Sequence, residues 1–149
     1  MSREITSKTI TFNTPRRKQA ATISNPAETC EQETFVQYVE WKHFPIFSIP
    51  NGFHVVGANP EAVAKAVNKL KKEGLRTGVP DLFIPVPRGA YHGLFVEMKR
   101  KKGGTVSPEQ KDWIKRLTDQ GYLAVVCHGA IDAENVFNRY IKLKFGERY

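Results

Sequence analysis

The sequence predicts an α/β fold in which a small mixed β-sheet is flanked by helices. Segments with the apolar periodicity of helices alternate with short segments rich in strand-forming residues, in the order helix, strand, helix, strand, strand, helix, strand, helix. This order is typical of helices packed against a mixed sheet. The chain has 149 residues, of which 40% are apolar, so one domain with one core is expected.

The chain is expected to divide near residue 28. Residues 1–28 are polar, carry the basic triplet Arg16-Arg17-Lys18 and show little apolar periodicity, which indicates a flexible or loosely packed arm. Two roles are open for this arm, because its TITFNT stretch suits a short edge strand and its basic triplet suits contact with nucleic acid. Residues 29–149 form the expected domain.

The first half of that domain predicts two helices and one strand. Phe35, Val36 and Val39 lie at helical spacing within a first helix over 29–43. "PIFSIPNG" predicts a short buried strand closed by an Asn-Gly turn. In "NPEAVAKAVNKLKKEG", Asn59 is the expected cap and Pro60 the first-turn proline. The apolar stripe of this second helix comprises Ala62, Ala66, Val67 and Leu70.

The second half predicts three strands and two helices. Strands are expected over 80–86 and 93–98. "TVSPEQKDWIKRLTDQG" then predicts a helix in which Ser107 and Gln110 form a capping box around Pro108. "YLAVVC" has the continuous apolar character of a strand buried on both faces, and a last helix is expected over about 131–143. The side chains expected to face the core from these two helices are Trp113, Ile114, Leu117, Ile131, Val136, Phe137 and Tyr140.

Composition narrows the classes of function. Twenty-three Lys and Arg against fifteen Asp and Glu give a net charge of +8, which favours a polyanionic partner. No window has the apolar length of a membrane span or of a signal peptide, so a cytoplasmic protein is expected. Cys30 and Cys127 have no CxxC spacing and no histidine at zinc-finger distance, so buried thiols are expected. Trp41 and Trp113 are expected to pack in the core.

The two central predicted strands are expected to bring a cluster of charged residues together. Because side chains alternate along a strand, Glu97 and Lys99 project to one face and Met98 to the other. Asp81 begins the preceding strand segment, and antiparallel pairing of the two segments would bring it beside Glu97. The competing interpretation is an ordinary surface ion pair between Glu97 and Lys99.

Two adjacent carboxylates repel each other, and a hard divalent cation such as Mg²⁺ or Mn²⁺ relieves this repulsion. Such a cation polarises a scissile phosphate and lowers the pKa of a bound water, while a neighbouring lysine orients or deprotonates the attacking water. The cluster therefore predicts hydrolysis of phosphodiester bonds.

"GVPDLFIPVPRGAYHGLFVEMKRKKGG", followed by "SPEQKDWIKRLTDQGYLAVVCHG", resembles the VRR-NUC family of the PD-(D/E)XK nuclease superfamily, in the stand-alone form common in phages and bacteria. Pro80-Asp81 and Glu97-Met98-Lys99 match the superfamily motif, and the resemblance covers roughly residues 29–143. It implies that the side chains of Asp81 and Glu97 and the backbone carbonyl of Met98 bind the metal, and that Lys99 acts on the water.

The resemblance also implies an acidic residue on the first helix. Glu31 is the position that matches, with a role at a second cation or a metal-bound water, and Glu33 is the alternative. The family usually has a glutamine one helical turn later, where this chain has Phe35 instead.

Basic residues beside the predicted site are expected to contact DNA. Arg100, Lys101 and Lys102 lead into a glycine-rich loop and suit the phosphate backbone, although a run of this kind also suits a merely solvated loop. Gln110 and Lys111 are expected to add contacts from the first turn of the next helix. His92, in a "YHG" that fits the family pattern, is expected at the edge of the site or in a structural role.

The sequence thus predicts a Mg²⁺- or Mn²⁺-dependent DNA endonuclease. Resemblance to stand-alone family members implies a homodimer that acts on branched DNA such as four-way junctions, with flaps, forks or non-specific DNA as alternatives. A non-catalytic nucleic-acid-binding module and a basic structural protein are the alternatives of another class.

Overall fold

A computed structural model of the chain describes residues 28–50 and 59–149. It contains eight elements, in the predicted order: α1 (Glu28–Trp41), β1 (Phe47–Ser48), α2 (Pro60–Lys72), β2 (Leu82–Ile84), β3 (Leu94–Lys99), α3 (Pro108–Asp119), β4 (Leu123–His128) and α4 (Ala130–Tyr140). The predicted arm and the predicted Asn-Gly turn lie outside the described residues, so the boundary at residue 28 remains a prediction.

The four strands form one mixed sheet in the order β1-β2-β3-β4, which confirms the predicted α/β class. β1 pairs with β2 and β2 with β3 in antiparallel fashion, whereas β3 and β4 are parallel and are connected through α3. β3 is therefore an interior strand with a neighbour on each side. All six of its residues are buried.

One face of the sheet packs against α1 and α4 and forms the core. Leu94, Val96 and Met98 alternate along β3 toward this face and are fully buried. Phe137 of α4 packs edge-on against Phe35 of α1, with ring centroids 6.3 Å apart. The same alternation directs Phe95, Glu97 and Lys99 to the opposite face.

That opposite face carries an aromatic cluster, with α3 packed beside it against β4. Phe83 of β2 stacks on Phe95 of β3 at 4.2 Å between centroids, and Tyr122 contacts both rings edge-on. Phe95 is two residues before Glu97 on the same face of β3. The cluster thus forms an apolar support beside the charged end of the strand.

The helix caps occur where the sequence predicts them. The Asn59 side chain accepts a hydrogen bond from Ala62 N at the start of α2, and Ser107 with Gln110 forms the complete capping box of α3. Each cap satisfies backbone N–H groups that the first turn of a helix leaves without partners. These local signals explain why both helix starts could be predicted closely.

Several expectations about burial are wrong. β1 is an exposed two-residue edge strand, and in β4, the other edge strand, Cys127 alone is fully buried. The side chain of Ile131 is 63% exposed because the buried stripe of α4 begins one residue earlier, at Ala130. Trp41 is exposed at the end of α1, with Lys42 Nζ 4.7 Å from its ring centroid.

The remaining differences concern the cysteines and the helices on the second face. Cys127 is a buried free thiol, as predicted, but Cys30 is exposed. No residue of α2 is fully buried, and Trp113, Ile114 and Leu117 of α3 are half-buried. No helix in the described part of the chain has both the length and the apolar character needed to cross a membrane.

Candidate active site

The β2–β3 hairpin places Asp81 next to Glu97. Leu82 pairs with Val96, so Asp81, one residue before β2, lies opposite Glu97 of β3. Asp81 Oδ2 accepts a hydrogen bond from Met98 N at 2.9 Å, which holds the Asp81 side chain against the neighbouring strand. Antiparallel register therefore brings together two carboxylates that are 16 positions apart in the sequence.

The loop before Asp81 packs against the first turn of α3. Gly78 is buried and has a φ of +88°, and a Cβ added to it would lie 2.7 Å from the carbonyl carbon of Glu109. Only glycine allows both this backbone conformation and this close approach without strain. Gly78 thus permits the contact between the Asp81 loop and the N-terminus of α3.

Glu97 is buried within a hydrogen-bonded cluster. Its side chain is 1% exposed, and its Oε1 accepts from Lys99 Nζ at 2.6 Å. The side-chain amide of Gln110, on α3, donates to the same oxygen. Among the buried side-chain atoms of residues 28–50 and 59–149, Glu97 Oε2 and Glu31 Oε1 have no hydrogen-bond partner. A buried carboxylate oxygen without a donor is costly, and it marks a place where a cation would be favourable.

Burial raises the pKa of Glu97 to about 7. The value of about 7 is a net result, in which burial is the largest effect, the hydrogen bond and positive charge of Lys99 lower the pKa, and the negative charges of Asp81 and Glu28 raise it. A carboxylate shifted in this way by burial and by a neighbouring carboxylate is typical of catalytic sites.

The donor set suits a hard divalent cation. Asp81 and Glu97 offer carboxylate oxygens, and the backbone carbonyl of Met98, between Glu97 and Lys99, is the further oxygen ligand that the sequence resemblance implies. Mg²⁺ and Mn²⁺ prefer oxygen ligands, and Mg²⁺ sites commonly use one or two carboxylates together with waters and substrate phosphates. Within the described ranges, no group of three or more His, Cys, Asp or Glu side chains is placed to hold a metal. The fit therefore depends on the pair Asp81 and Glu97.

Glu31 lies at the start of α4, where Gly129 N donates to Lys99 O at 2.8 Å. It is buried, and its Oε2 accepts from Ala130 N at 2.6 Å. The N-cap residue of α4 is Gly129, which has no side chain to cap the helix. Lys101 Nζ lies 3.4 Å from the other carboxylate oxygen of Glu31. Glu31 thus caps α4 from another helix and pairs with Lys101 of the loop formed by residues 100–104, called the basic loop below. Within the described residues, it does not form a three-ligand group with Asp81 and Glu97.

Among the acids of α1, Glu28 contributes to the raised pKa of Glu97, as the weakest of five effects. Sequence reasoning missed it, although the signal was present, because Gln32 follows Glu28 by one helical turn. This is the acid–glutamine spacing that the sequence resemblance led us to expect. With Glu28 taken as this acid, the residue one helical turn later is Gln32, and Phe35 is a fully buried core residue.

The predicted DNA-binding residues fall into two groups. Arg100, Lys101, Lys102 and Lys111 are exposed. The backbone of the basic loop is held at the β4–α4 corner, where Arg100 O lies 3.3 Å from His128 Nδ1. Gln110 differs, because both ends of its amide contact other parts of the protein.

His92 lies at the opposite end of β3 from Lys99. Its backbone N donates to Gly121 O at 2.9 Å, and its ring packs edge-on against Tyr122. Glu97 is five residues further along an extended chain, a span of about 16 Å. This placement supports the structural role for His92 and does not support a position at the site.

Replacement of Gly78 tests the contact between the Asp81 loop and α3. We expect Gly78→Ala to lower the free energy of unfolding by about 3 kcal/mol, through left-handed strain and overpacking. Gly103 is the matched control, since its φ is +78° but an added Cβ would meet nothing within 4 Å. Gly103→Ala should cost about 1 kcal/mol. Equal losses for the two variants in urea denaturation would show that the contact is unimportant.

The pKa of Glu97 predicts how stability depends on pH without divalent cations. A folded-state pKa of about 7, against an ordinary value of 4.5, means that the native state binds the proton more tightly than the unfolded state. The stability from this group is complete below pH 4.5 and is lost as pH rises through 7. In EDTA, raising the pH from below 4.5 to above 7 should therefore lower the free energy of unfolding of the wild type by up to about 3 kcal/mol relative to that of Glu97→Gln. A difference between the two proteins that does not vary with pH would contradict this.

Comparison with known proteins identifies the family of the chain. The sequence profile of the VRR-NUC domain matches residues 15–131, and so begins within the segment expected to be an arm. A solved structure described as a VRR_NUC domain protein superposes with a TM-score of 0.69 at 30% sequence identity, covering 83% of this chain and 97% of the other. A search of curated proteins gave no significant match. The fold is thus of the nuclease type, and the chain belongs to the VRR-NUC domain family.

Proposed function

We propose that the protein is a metal-dependent DNA endonuclease that hydrolyses phosphodiester bonds. The observation that carries the proposal is the buried Oε2 of Glu97, which has no hydrogen-bond partner and belongs to a carboxylate beside Asp81 and Lys99. Family membership supports a nuclease in general terms. The identity of the metal and the preferred DNA structure go beyond what family membership supports, and they are part of our proposal.

In this proposal Asp81, Glu97 and the Met98 carbonyl hold Mg²⁺ or Mn²⁺. When bound, the cation would polarise the scissile phosphate and stabilise the charge that develops on it. Lys99 Nζ, fixed against Glu97, would orient the attacking water and assist its deprotonation. Its pairing with Glu97 also reduces the repulsion between the two carboxylates before the cation binds.

On α1 we assign the accessory acidic role to Glu28. Its charge acts on Glu97, whereas the Glu31 carboxylate is committed to the backbone of α4 and to Lys101. Glu28 would then bind a second cation or an ordered water next to the site. Glu31 would act only indirectly, by holding the basic loop.

We further propose that DNA is bound through its backbone. Arg100, Lys102 and Lys111 are exposed cations close in sequence to Lys99 and Gln110, and contacts of this kind are salt-sensitive but independent of sequence. Nothing in the described residues resembles a helix–turn–helix or a zinc module for reading bases. Selectivity for DNA shape, such as a four-way junction cut by a homodimer, is therefore preferred over sequence specificity.

Cleavage of labelled four-way junction, flap and linear duplex tests the proposal. The wild type should cut in Mg²⁺ or Mn²⁺ and not in EDTA, with the junction preferred. Asp81→Asn, Glu97→Gln and Lys99→Met should each reduce the rate by at least about 100-fold, because each removes a ligand or the group that acts on the water. Glu28→Gln should reduce it about 10-fold or more, as is usual for residues that support a metal site.

Glu33→Gln is the matched control for Glu28→Gln, because Glu33 is an exposed acid on the same helix. It should retain wild-type activity. If the wild type binds DNA in a salt-dependent way but cuts none of the substrates with either cation, the protein is a binding module and the catalytic proposal fails.

A further inference from the structure

We propose that Gln110 positions the Glu97 carboxylate, so that this one side chain of the α3 capping box also serves the active site. This inference rests on the proposed function, and it replaces the expectation that Gln110 contacts DNA. It concerns a single side chain that links the start of a helix to a buried acidic group on the central strand.

The two ends of the Gln110 amide have different partners. Oε1 accepts from Ser107 N at 2.9 Å, and Nε2 donates to Glu97 Oε1. A rotated amide would place an N–H group against the Ser107 N–H and an oxygen against a carboxylate oxygen. The two contacts therefore fix one orientation of the amide.

Gln110 and Lys99 both donate to the same oxygen of Glu97. The terminal torsion of a glutamate side chain is soft, so an isolated carboxylate can rotate about it. Two donors on Oε1 oppose this rotation, and they leave Oε2 without a hydrogen-bond partner. Gln110 thus helps to present Oε2 as the ligand oxygen.

The residue type supports this role. Glutamate and glutamine both complete a capping box at this position of a helix. Only glutamine can donate a hydrogen bond to a carboxylate, since an ionised glutamate has no proton to give. The capping box holds the Gln110 backbone as well, because Ser107 Oγ accepts from Gln110 N at 3.2 Å.

Three variants separate positioning from helix capping, with Mn²⁺ alone as the binding probe in calorimetry. Gln110→Met keeps the volume but loses both contacts, and Mn²⁺ affinity should fall about 10- to 100-fold. Ser107→Ala weakens the cap but keeps the donor, so its melting temperature should fall while Mn²⁺ affinity stays within about two-fold of wild type. Gln110→Glu keeps the cap but cannot donate, and it places a second carboxylate against Glu97.

Cleavage kinetics give the second readout. In Gln110→Met and Gln110→Glu, kcat should fall at least about 10-fold, while KM for DNA stays close to the wild-type value. A rise in KM with unchanged kcat and Mn²⁺ affinity would mean that Gln110 contacts DNA, and would overturn the inference. If Mn²⁺ affinity falls in proportion to stability in both Ser107→Ala and Gln110→Met, the role of Gln110 is structural only, and the inference fails.

Failure of the inference and failure of the proposed function give different results. If the wild type binds Mn²⁺ and cuts DNA, and Gln110→Glu matches its kcat, the inference fails and the nuclease proposal stands. If the wild type neither binds Mn²⁺ nor cuts, the proposed function fails, and the inference fails with it.

Discussion

The arrangement of the structure around its site depends on the burial of one carboxylate, that of Glu97. A side chain only 1% exposed must either lose its charge or find partners, because removing an ionised carboxylate from water costs several kcal/mol. β3 holds Glu97 between two neighbouring strands, Lys99 provides the opposite charge, and α3 provides an amide donor. These partners engage one oxygen and leave the other without a hydrogen-bond partner, at the position where we propose that a cation binds.

The acids of α1 show how one helix can serve two purposes. Glu31 and Glu28 are three residues apart, yet they act at different places. Glu31 completes the start of α4, where Gly129 provides no side-chain cap, and it also pairs with Lys101. Glu28, one turn earlier, adds negative charge near Glu97. Stability and candidate chemistry are therefore linked through α1 but are assigned to separate residues.

The order of the elements and the pairing of Asp81 with Glu97 could be predicted because they depend on local signals. Capping residues, prolines at helix starts and alternation along strands are properties of short segments, and the hairpin register follows from them. Burial was harder to predict. Ile131 and Trp41 are apolar and at plausible helical positions, but their exposure depends on which neighbours each helix meets.

The contacts between distant side chains could not be predicted from sequence. Gln110 is identifiable as part of a capping box, but its donation to Glu97 depends on where α3 lies over the sheet. The choice between Glu28 and Glu31 required the orientation of α1, although the spacing from Glu28 to Gln32 in itself favours Glu28. Rotation of a helix by one residue changes which acid faces the site, and apolar periodicity does not fix it that closely.

The most direct test of the central claim is the position of the cation. Crystals of the protein soaked in Mn²⁺ and measured at a wavelength where manganese scatters anomalously would show it without reference to activity. We predict an anomalous peak between Asp81 and Glu97, with Glu97 Oε2 as a ligand. A peak at Glu31 alone, or no peak near Glu97 at a Mn²⁺ concentration that supports cleavage, would contradict it.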